Sequence, residues 1–372
     1  MQTKLNVYVG TYTEAIVFGT GQVLEGRGEG IYLFELEAGR AEARLLWKKS
    51  GVRNPSFLDL SPSRHFLYAV NELKDFEGGQ TGAVSAFALD DRGGEPRLLN
   101  QKPSSGTDPC HVAVDGSGKF AVATNYMSGS VSVFPLLADG SLGDMCDFRQ
   151  HRGSSVNASR QSGPHAHSAV FDRENRHVFV SDLGCDEVVA YGWDSGKGRL
   201  ERRDAMCFKS RAGSGPRHLA LHPSLPVAYI VNELDSSVSL LSWKGDGSAP
   251  RELQTISTLP TGFTGSSACA DLHVSPSGDF LYASNRGHDS IAIFRIRSGS
   301  GGLEAVGHCP TGGRTPRSFD IDPSGTILAA ANQDSDSVVV FRIDAERGTL
   351  EATGEELSVP TPVCVRIYDA VE

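Results

Sequence analysis

Two stretches decide the fold of this chain: "GPHAHSAVFDRENRHVFVSD" (residues 163–182) and "GPRHLALHPSLPVAYIVNEL" (residues 215–234). Each has an apolar run, a turn of polar residues and a second apolar run, a pattern typical of two antiparallel strands. Similar stretches begin at residues 54, 108, 269 and 315, and a truncated one begins at residue 361. Their second positions recur every 46–55 residues, at Pro55, Pro109, Pro164, Pro216, Ala270, Pro316 and Pro362. The chain is therefore a sevenfold repeat.

Each copy continues with alternating strands such as "SSVSLLSW" (residues 236–243), which gives four antiparallel strands, a to d. Repeats of about 40–50 residues with four strands each indicate a β-propeller. The C-terminus ends after one strand a, "VCVRI" (residues 363–367), and the N-terminus supplies "LNVYVGTYT", "GIYLFELEA" and "ARLLWKKSG" as strands b, c and d. We predict an all-β, seven-bladed β-propeller, one domain over residues 1–372, whose ring is closed by N-terminal strands b–d pairing with the C-terminal strand a.

The composition excludes several classes of partner. The chain has 45 acidic and 35 basic residues, and a net charge of −10 repels nucleic acid and anionic membranes. No apolar run approaches the roughly 18 residues of a membrane span, and the first residues lack a leader pattern. Seven scattered cysteines without a CxxC pair predict free thiols, with no disulfide and no metal site. We expect a cytoplasmic monomer or dimer that binds no nucleic acid, membrane, metal or cofactor.

The strand order predicts where a site lies. Strand a starts, and strand b ends, at the same end of each blade, so the residues there should converge on one mouth of the channel. The long insertions, at residues 14–29, 74–80, 148–163 and 261–267, fall at this same end, as functional loops do. The residues that differ between copies at this rim are Asp108, His165, His167, Arg217, Arg317, Glu72, Asn125, Asp182, Glu233, Arg286 and Gln333.

The rim residues are suited to binding and converting a small anion. Three arginines, Arg217, Arg286 and Arg317, can pair with carboxylate or phosphate. His167 is the natural general base or acid, and Glu233 either orients it or transfers a second proton. A structural interpretation stays open beside this one: rim charges can form ion pairs that tie adjacent blades together, and Asn-Glu-Leu occurs twice in the chain, so Glu233 fits a repeat feature as well.

At these residues the sequence resembles the seven-bladed propeller lactonases, which include bacterial 6-phosphogluconolactonases and the fungal 3-carboxy-cis,cis-muconate lactonizing enzyme. The resemblance covers nearly the whole chain and is most specific in "GPRH" and "VNE" of blade four. It implies a site in which a histidine opens one blade, an arginine opens the next, a glutamate ends that blade's second strand and an arginine follows from the blade after. These roles fall on His167, Arg217, Glu233 and Arg286. Four further residues are expected to contact the substrate, namely His165, Arg317, Asn232 and Asn285.

The resemblance implies a metal-independent lactonase that hydrolyses a sugar-acid lactone, 6-phosphogluconolactone to 6-phosphogluconate, in the pentose phosphate pathway of carbohydrate metabolism. Two alternatives stay open: cycloisomerisation of a carboxy-muconate at the same site, and a propeller that serves as a non-catalytic interaction platform. His167 is preferred to His165 because the family histidine directly precedes Ser-Ala. Residues 147–164, with Arg149, His151, Arg152 and Arg160, depart from the family pattern and are candidates for reshaping substrate preference.

Overall fold

The computed structural model describes residues 4–18, 20–90 and 94–370. Apart from two short 3-10 turns, Asp204–Met206 and Gln333–Ser335, its regular structure is all β-strand. Over those residues no helix is long and apolar enough to cross a membrane. The described strands form seven antiparallel sheets, six with four strands and one with five, one sheet for each predicted blade, and a separate two-stranded hairpin, so the all-β prediction is confirmed.

The chain divides into two compact units. The central unit consists of Tyr12–Gly30 and Lys49–Arg217, and the terminal unit consists of Met1–Thr11, Ile31–Lys48 and His218–Glu372. The prediction of a single domain over residues 1–372 stays a prediction.

The central unit contains blades 1 to 3, with strands a to d in sheet order. Blade 3 has an additional short strand paired with its strand c, and a small hairpin precedes blade 1. The strands are Pro55–Leu60, Phe66–Asn71, Ala83–Ala88 and Arg97–Pro103 in blade 1; Pro109–Val114, Phe120–Asn125, Ser130–Pro135 and Asp147–Gln150 in blade 2; Ala166–Phe171, His177–Asp182, Glu187–Asp194, Arg199–Arg202 and Phe208–Lys209 in blade 3; and Ile16–Val17 and Val23–Leu24 in the hairpin.

The terminal unit contains blades 4 to 7, the first strand of blade 4 beginning at the unit boundary. Blade 7 joins the two ends of the chain: the last strand pairs with Lys4–Thr11, Val365 opposite Val9, so the predicted pairing of the termini is present. The strands are Pro216–Leu221, Val227–Asn232, Ser237–Ser242 and Arg251–Ser257 in blade 4; Ala268–Val274, Phe280–Arg286, Ser290–Ile296 and Leu303–Pro310 in blade 5; Pro316–Ile321, Ile327–Asn332, Ser337–Ile343 and Leu350–Ser358 in blade 6; and Pro362–Asp369, Lys4–Thr11, Gly30–Glu37 and Glu42–Ser50 in blade 7.

The core lies between neighbouring blades of each unit. Tyr229 and Leu240 of blade 4 pack in one cluster with Phe294 of blade 5, and Val133 of blade 2 shares a cluster with Tyr191 of blade 3. Because both faces of the inner strands are covered, strand b is buried along its whole length in blades 4 and 6 and reads as a continuous apolar run. The outermost strands d are largely exposed and polar. This difference is why the apolar runs mark strands a to c most clearly in the sequence.

A β-bulge interrupts strand a near its start. In blade 3, Ala166 is opposite Asp182 and Ser168 is opposite Ser181, so His167 is the extra residue. The same register shift occurs at Ser56, Cys110 and Arg317 in blades 1, 2 and 6. Bulges redirect side chains and are common next to active sites. In these four blades the bulge therefore gives one position of strand a a distinct direction.

The pairing corrects the predicted alignment of two copies. Ala166 lies opposite Asp182 and Cys269 lies opposite Asn285, as Pro109 lies opposite Asn125 in blade 2. Ala166 and Cys269, rather than Pro164 and Ala270, therefore take the position of Pro109. The backbone ladder with strand b sets the register, whereas a proline two residues before the strand takes no part in it. The corrected register places His167 in the same bulge position as Arg317 and Cys110.

Candidate functional site

His167, the predicted proton-transfer residue, is buried and held at the bulge of blade 3. Its main-chain carbonyl accepts a hydrogen bond from the Thr124 hydroxyl at 3.0 Å and one from the Cys110 thiol at 3.2 Å. The Cys110 sulfur also lies 3.8 Å from Nδ1 of the imidazole, and the Tyr126 ring packs edge-on against it at 5.5 Å. Backbone and ring are thus both fixed by neighbours from blade 2, which is the rigidity that a general acid or base requires.

Arg217 is also buried, and the described contacts bring its backbone to the histidine segment. Ser168, the residue after His167, donates its hydroxyl hydrogen to the Arg217 carbonyl at 2.8 Å. The bulge of blade 3 is therefore tied to the first residues of the next blade. Through this bond the backbone that carries His167 is held next to the backbone that carries Arg217, two of the four principal site residues.

His165 is fixed independently of His167. Its Nδ1 lies 2.9 Å from the Tyr126 carbonyl oxygen and its ring stacks on the Tyr126 ring at 4.6 Å. Because a carbonyl only accepts, Nδ1 carries the proton, and Nε2 of the neutral ring is an acceptor. Gly184 lies against this residue: a Cβ there would stand 2.8 Å from the His165 amide nitrogen and 2.0 Å from the Gly163 carbonyl oxygen. His165 thus has a defined tautomer that suits substrate binding or proton transfer.

Segment 151–164, which precedes the histidines, is anchored by buried polar side chains. Strand d of blade 2 extends to Gln150, so the segment begins at His151, later than predicted. His151 bridges Asp182 Oδ2 at 2.7 Å and the Tyr191 hydroxyl at 2.9 Å. The other oxygen of Asp182 accepts the His165 amide hydrogen at 2.8 Å. Asp182 therefore fixes both ends of the segment.

Arg160 is the residue of this segment that reaches the histidine cluster. Its Nη2 donates to the Tyr126 hydroxyl at 3.1 Å, on the ring that contacts His165 and His167. Arg149 instead pairs with Asp147 on the same strand, and Arg152 is exposed. The sequence did not distinguish these arginines.

A second polar cluster of the central unit lies at blades 1 and 2. The Tyr12 hydroxyl donates to Glu72 at 2.9 Å, and Lys74 binds the carboxylate of Asp108 at 3.0 Å. Burial raises the pKa of Asp108, and the ammonium of Lys74 opposes this rise. Both acids are buried rim residues that already have basic or hydroxyl partners.

The terminal unit holds the two other principal residues, and they form an ion pair. Arg286 Nη2 lies 2.8 Å from Glu233 Oε2 and also donates to the Cys269 carbonyl at 2.8 Å. The side chains are 18% and 5% exposed. Among the described residues Arg286 Nε is buried without a hydrogen-bond acceptor. Since Glu233 ends a strand of blade 4 and Arg286 one of blade 5, the pair also ties adjacent blades, as the structural interpretation anticipated.

The terminal unit contains three of the residues that were predicted to contact the substrate, one at the start of a strand a and two near the ends of strands b. Arg317 is half-buried at the bulge of blade 6. Asn232 is buried and donates to the hydroxyls of Ser237 and Ser239, which belong to strand c of its own blade. Asn285 bonds both the carbonyl and the hydroxyl of Thr258. The asparagines directly precede Glu233 and Arg286, so these bonds fix the ends of the strands that carry the charged residues.

The terminal unit also contains a His–Asp cluster that was not predicted from the sequence. Asp271 binds His218 at 2.8 Å and His273 at 3.4 Å, and the Ser318 hydroxyl donates to its other oxygen at 3.1 Å. Burial raises the pKa of Asp271, but the neighbouring imidazoles overcome this and hold it well below its usual range. Burial lowers the pKa of His273, and Asp271 and Asp320 reverse this so that the pKa is raised.

One signal in the sequence pointed to a residue that was missed: Tyr126 follows Asn125 as Glu233 follows Asn232, which places it at the same end of its blade. Cys110 was also missed, because strand pairing alone shows that it occupies the bulge position that His167 occupies in the next blade. In the described ranges no group of three or more His, Cys, Asp or Glu residues is arranged to hold a metal ion.

Comparison with known proteins identifies the family. Residues 6–367 match the family model of the seven-bladed β-propeller lactonases. The chain is 37% identical to the 6-phosphogluconolactonase of Bacillus subtilis, over 99% of this chain and 100% of that protein. It is 36% identical to the 6-phosphogluconolactonase of Formosa agariphila, over 78% of this chain and 82% of that protein.

A solved structure agrees with these matches. The periplasmic gluconolactonase of Pseudomonas aeruginosa superposes with a TM-score of 0.89 at 30% identity, over 99% of this chain and 100% of that one. The predicted seven-bladed β-propeller and the predicted lactonase are thereby confirmed. The chain belongs to the family of seven-bladed β-propeller lactonases.

Proposed function

We propose that this protein hydrolyses 6-phosphogluconolactone to 6-phosphogluconate. The observation that carries the proposal is the similarity, over the full length of both chains, to the 6-phosphogluconolactonase of Bacillus subtilis. The histidines and arginines near the starts of strands a and the ends of strands b support it, because hydrolysis of this ester needs a proton acceptor, a positive group near the carbonyl oxygen and a site for the phosphate.

In the proposed reaction His167 acts on the attacking water. Its imidazole accepts a proton as the water oxygen bonds to the lactone carbonyl carbon. Arg217 stabilises the negative charge that develops on the carbonyl oxygen. The bond from that carbon to the ring oxygen then breaks, and the protonated His167 returns its proton to the leaving oxygen. One water is consumed, and the carboxylic acid that is formed releases its proton to solvent to give the carboxylate.

Glu233 and Arg286 are assigned to substrate binding. A carboxylate 2.8 Å from a guanidinium has its charge compensated, so we assign Glu233 as the positioning residue of Arg286 rather than as a second proton-transfer group. Arg286 and Arg317 then bind the anionic end of the substrate, and His165 a sugar hydroxyl. Asn232 and Asn285 act through the strand ends that they hold. A site built from these residues at the mouth of the propeller channel is part of the proposal.

The proposal extends to the setting of the reaction. All seven cysteines are thiols, which is usual in a reducing compartment and supports a cytoplasmic location. Hydrolysis of this lactone is a step of the pentose phosphate pathway. The roles above use side chains alone, so the reaction is proposed to be independent of metal ions and of any cofactor.

The experiment that tests the proposal is a lactone hydrolysis assay. We would follow the loss of 6-phosphogluconolactone above its spontaneous rate, with unphosphorylated gluconolactone in a parallel cuvette and a chelator in half of the samples. Faster loss of the phosphorylated lactone, with and without chelator, is expected. Faster loss of neither lactone would overturn the proposed activity, and loss of activity with the chelator would overturn metal independence.

A further inference from the structure

We propose that an aspartate in the turn before strand c positions the arginine near the start of the next blade: Asp186 positions Arg217, and Asp289 positions Arg317. This inference rests on the proposed function and deepens it, since it adds two positioning residues for arginines that were assigned to charge stabilisation and anion binding. Each aspartate acts through the backbone and not on the substrate.

The turn aspartates occupy equivalent positions in three blades. Asp186, Asp289 and Asp336 directly precede strand c of blades 3, 5 and 6, and their φ angles are 51°, 54° and 55°. Aspartate tolerates this left-handed conformation better than most residues. In each turn the main-chain carbonyl of the aspartate accepts an amide hydrogen from the connection to the next blade, at 2.8–3.0 Å. The three turns are therefore one structural device, and substitutions in them can be compared directly.

The carboxylate of Asp186 holds the backbone just before Arg217. Its Oδ1 accepts the Gly215 amide hydrogen at 2.7 Å, and its Oδ2 accepts the Gly213 amide hydrogen at 2.7 Å. The one residue between Gly215 and Arg217 is Pro216, whose ring fixes its own φ. Because few free torsions separate the bonded amide from the arginine, the carboxylate sets the place from which the Arg217 side chain extends.

Asp186 also connects this backbone to segment 151–164. The Ser155 hydroxyl donates to its Oδ2 at 2.5 Å, and the Ser214 hydroxyl donates to its Oδ1 at 3.4 Å. The Asp186 residue is 1% exposed. A buried carboxylate that accepts hydrogen bonds from two amides and two hydroxyls is firmly held, so it can serve as a fixed point for the residues that bond to it.

In blade 5 the same arrangement leads to Arg317. Asp289 Oδ1 accepts the Thr315 amide hydrogen at 2.9 Å, and a proline again separates the bonded residue from the arginine. The same oxygen accepts the Gly287 amide hydrogen at 3.0 Å. Arg317 is the bulge residue of strand a, so its direction depends on how the strand begins.

Blade 6 has the device without an arginine. Asp336 Oδ1 accepts the Thr361 amide hydrogen at 2.8 Å, and a proline follows Thr361. The residue after this proline is Val363, which is buried and aliphatic. The bond in blade 6 therefore stabilises the connection alone, whereas in blades 3 and 5 it also fixes an arginine. This difference makes Asp336 the matched control.

The test compares Asp186→Ala, Asp289→Ala and Asp336→Ala by steady-state kinetics with 6-phosphogluconolactone and by urea denaturation. All three should lose stability, since each loses a hydrogen bond to the backbone. We expect Asp186→Ala to lower kcat roughly 10- to 100-fold with KM within about threefold, because a displaced Arg217 stabilises the transition state less. Asp289→Ala should raise KM roughly 10-fold with kcat within about threefold, and Asp336→Ala should leave both within about twofold. Equal changes of kcat and KM in the three variants would show a general structural effect and overturn the inference.

Asparagine distinguishes the two positions, because its amide keeps one acceptor oxygen and replaces the other with a donor. At Asp289 one oxygen accepts both amide hydrogens, so Asp289→Asn should keep KM within about twofold of the wild type. At Asp186 the two glycine amides bond to different oxygens, so Asp186→Asn must lose one bond and should lower kcat roughly 3- to 10-fold. A larger defect in Asp289→Asn than in Asp186→Asn would contradict the proposed geometry.

A measurement without turnover separates this inference from the proposed activity. The side-chain Nε–H resonances of arginine can be followed by NMR in isotope-labelled protein, and the variants Arg217→Lys and Arg317→Lys assign the two signals. We expect Asp186→Ala to shift the Arg217 signal, Asp289→Ala to shift the Arg317 signal, and Asp336→Ala to shift neither. Unchanged signals in the first two variants would overturn the positioning roles even if the lactone is hydrolysed. Shifted signals without any hydrolysis would support the positioning roles and overturn the proposed activity.

Discussion

The histidine cluster of the central unit and the Glu233–Arg286 pair of the terminal unit are held in opposite ways. The described imidazole contacts of His165 and His167 are with the Tyr126 carbonyl, the Tyr126 ring and the Cys110 thiol. Arg286 is bonded to a carboxylate that compensates its charge. A proton carrier needs neighbours that fix it and leave its charge free to change, whereas a buried cation needs a permanent partner. The comparison predicts that substitutions in the first cluster affect rate and those in the second affect stability.

The largest expected effect is on the rate. Replacing His167 with Ala should lower kcat for the phosphorylated lactone roughly 10²- to 10⁴-fold, the usual contribution of a general acid or base. His165→Ala should cost less, since His165 is assigned to substrate binding. Both would be measured by steady-state kinetics, with the exposed His65→Ala as control. A larger loss in His165→Ala than in His167→Ala would reverse the two assignments.

The second effect is on stability. Glu233→Gln should lower the free energy of unfolding by about 3 kcal/mol, because it leaves the charge of Arg286 buried and uncompensated. Urea denaturation would measure it, with Glu201→Gln as control, since Glu201 pairs with Arg203 on the exposed surface and should matter by less than about 1 kcal/mol. A large fall in kcat without loss of stability would instead make Glu233 a proton-transfer residue.

A third substitution tests the packing around His165. Gly184→Ala places a methyl group against the Gly163 carbonyl and the His165 amide, and the resulting shift should cost roughly 1–3 kcal/mol of stability and lower activity. Gly163→Ala is the matched control, because a Cβ there meets no atom within 4 Å. Similar behaviour of the two variants would contradict the close approach at Gly184.

The smallest effect concerns pH. The pKa of His273 is raised in the folded protein, so its ion pair contributes fully below the unfolded pKa of about 6.5 and is lost as the pH rises through the folded value. Asp271 has a lowered pKa, so its contribution is present above pH ~4 and is lost only as the pH falls through its folded pKa. His273→Gln should therefore remove a small decline in stability that begins as the pH rises above about 6.5. Urea titrations at several pH values would measure it, and an unchanged decline would assign it to another group.

The repeat, the four strands of each blade and the pairing of the two termini were all readable in the sequence, because apolar runs, turns and their spacing are local features. The site residues were found by position for the same reason: the starts of strands a and the ends of strands b are visible in each copy. The sequence did not predict which side chains contact each other. Glu233 was open to two interpretations, and the ion pair with Arg286 is a contact between residues of different blades. Arg160, Arg149 and Arg152 looked equivalent until their contacts separated them.

The sequence by itself determined the number of blades, the order of their strands and the family of the chain, since these depend on patterns that recur within about 50 residues. The tertiary structure alone decided the bulge register that aligns His167 with Cys110 and Arg317, the stacking of His165 on Tyr126, and the anchoring of segment 151–164 by Asp182. Each of these is a contact between distant residues, and its geometry is set by the ladder and by the packing of neighbouring blades. Local propensity carries no information about such contacts until the blades are assembled.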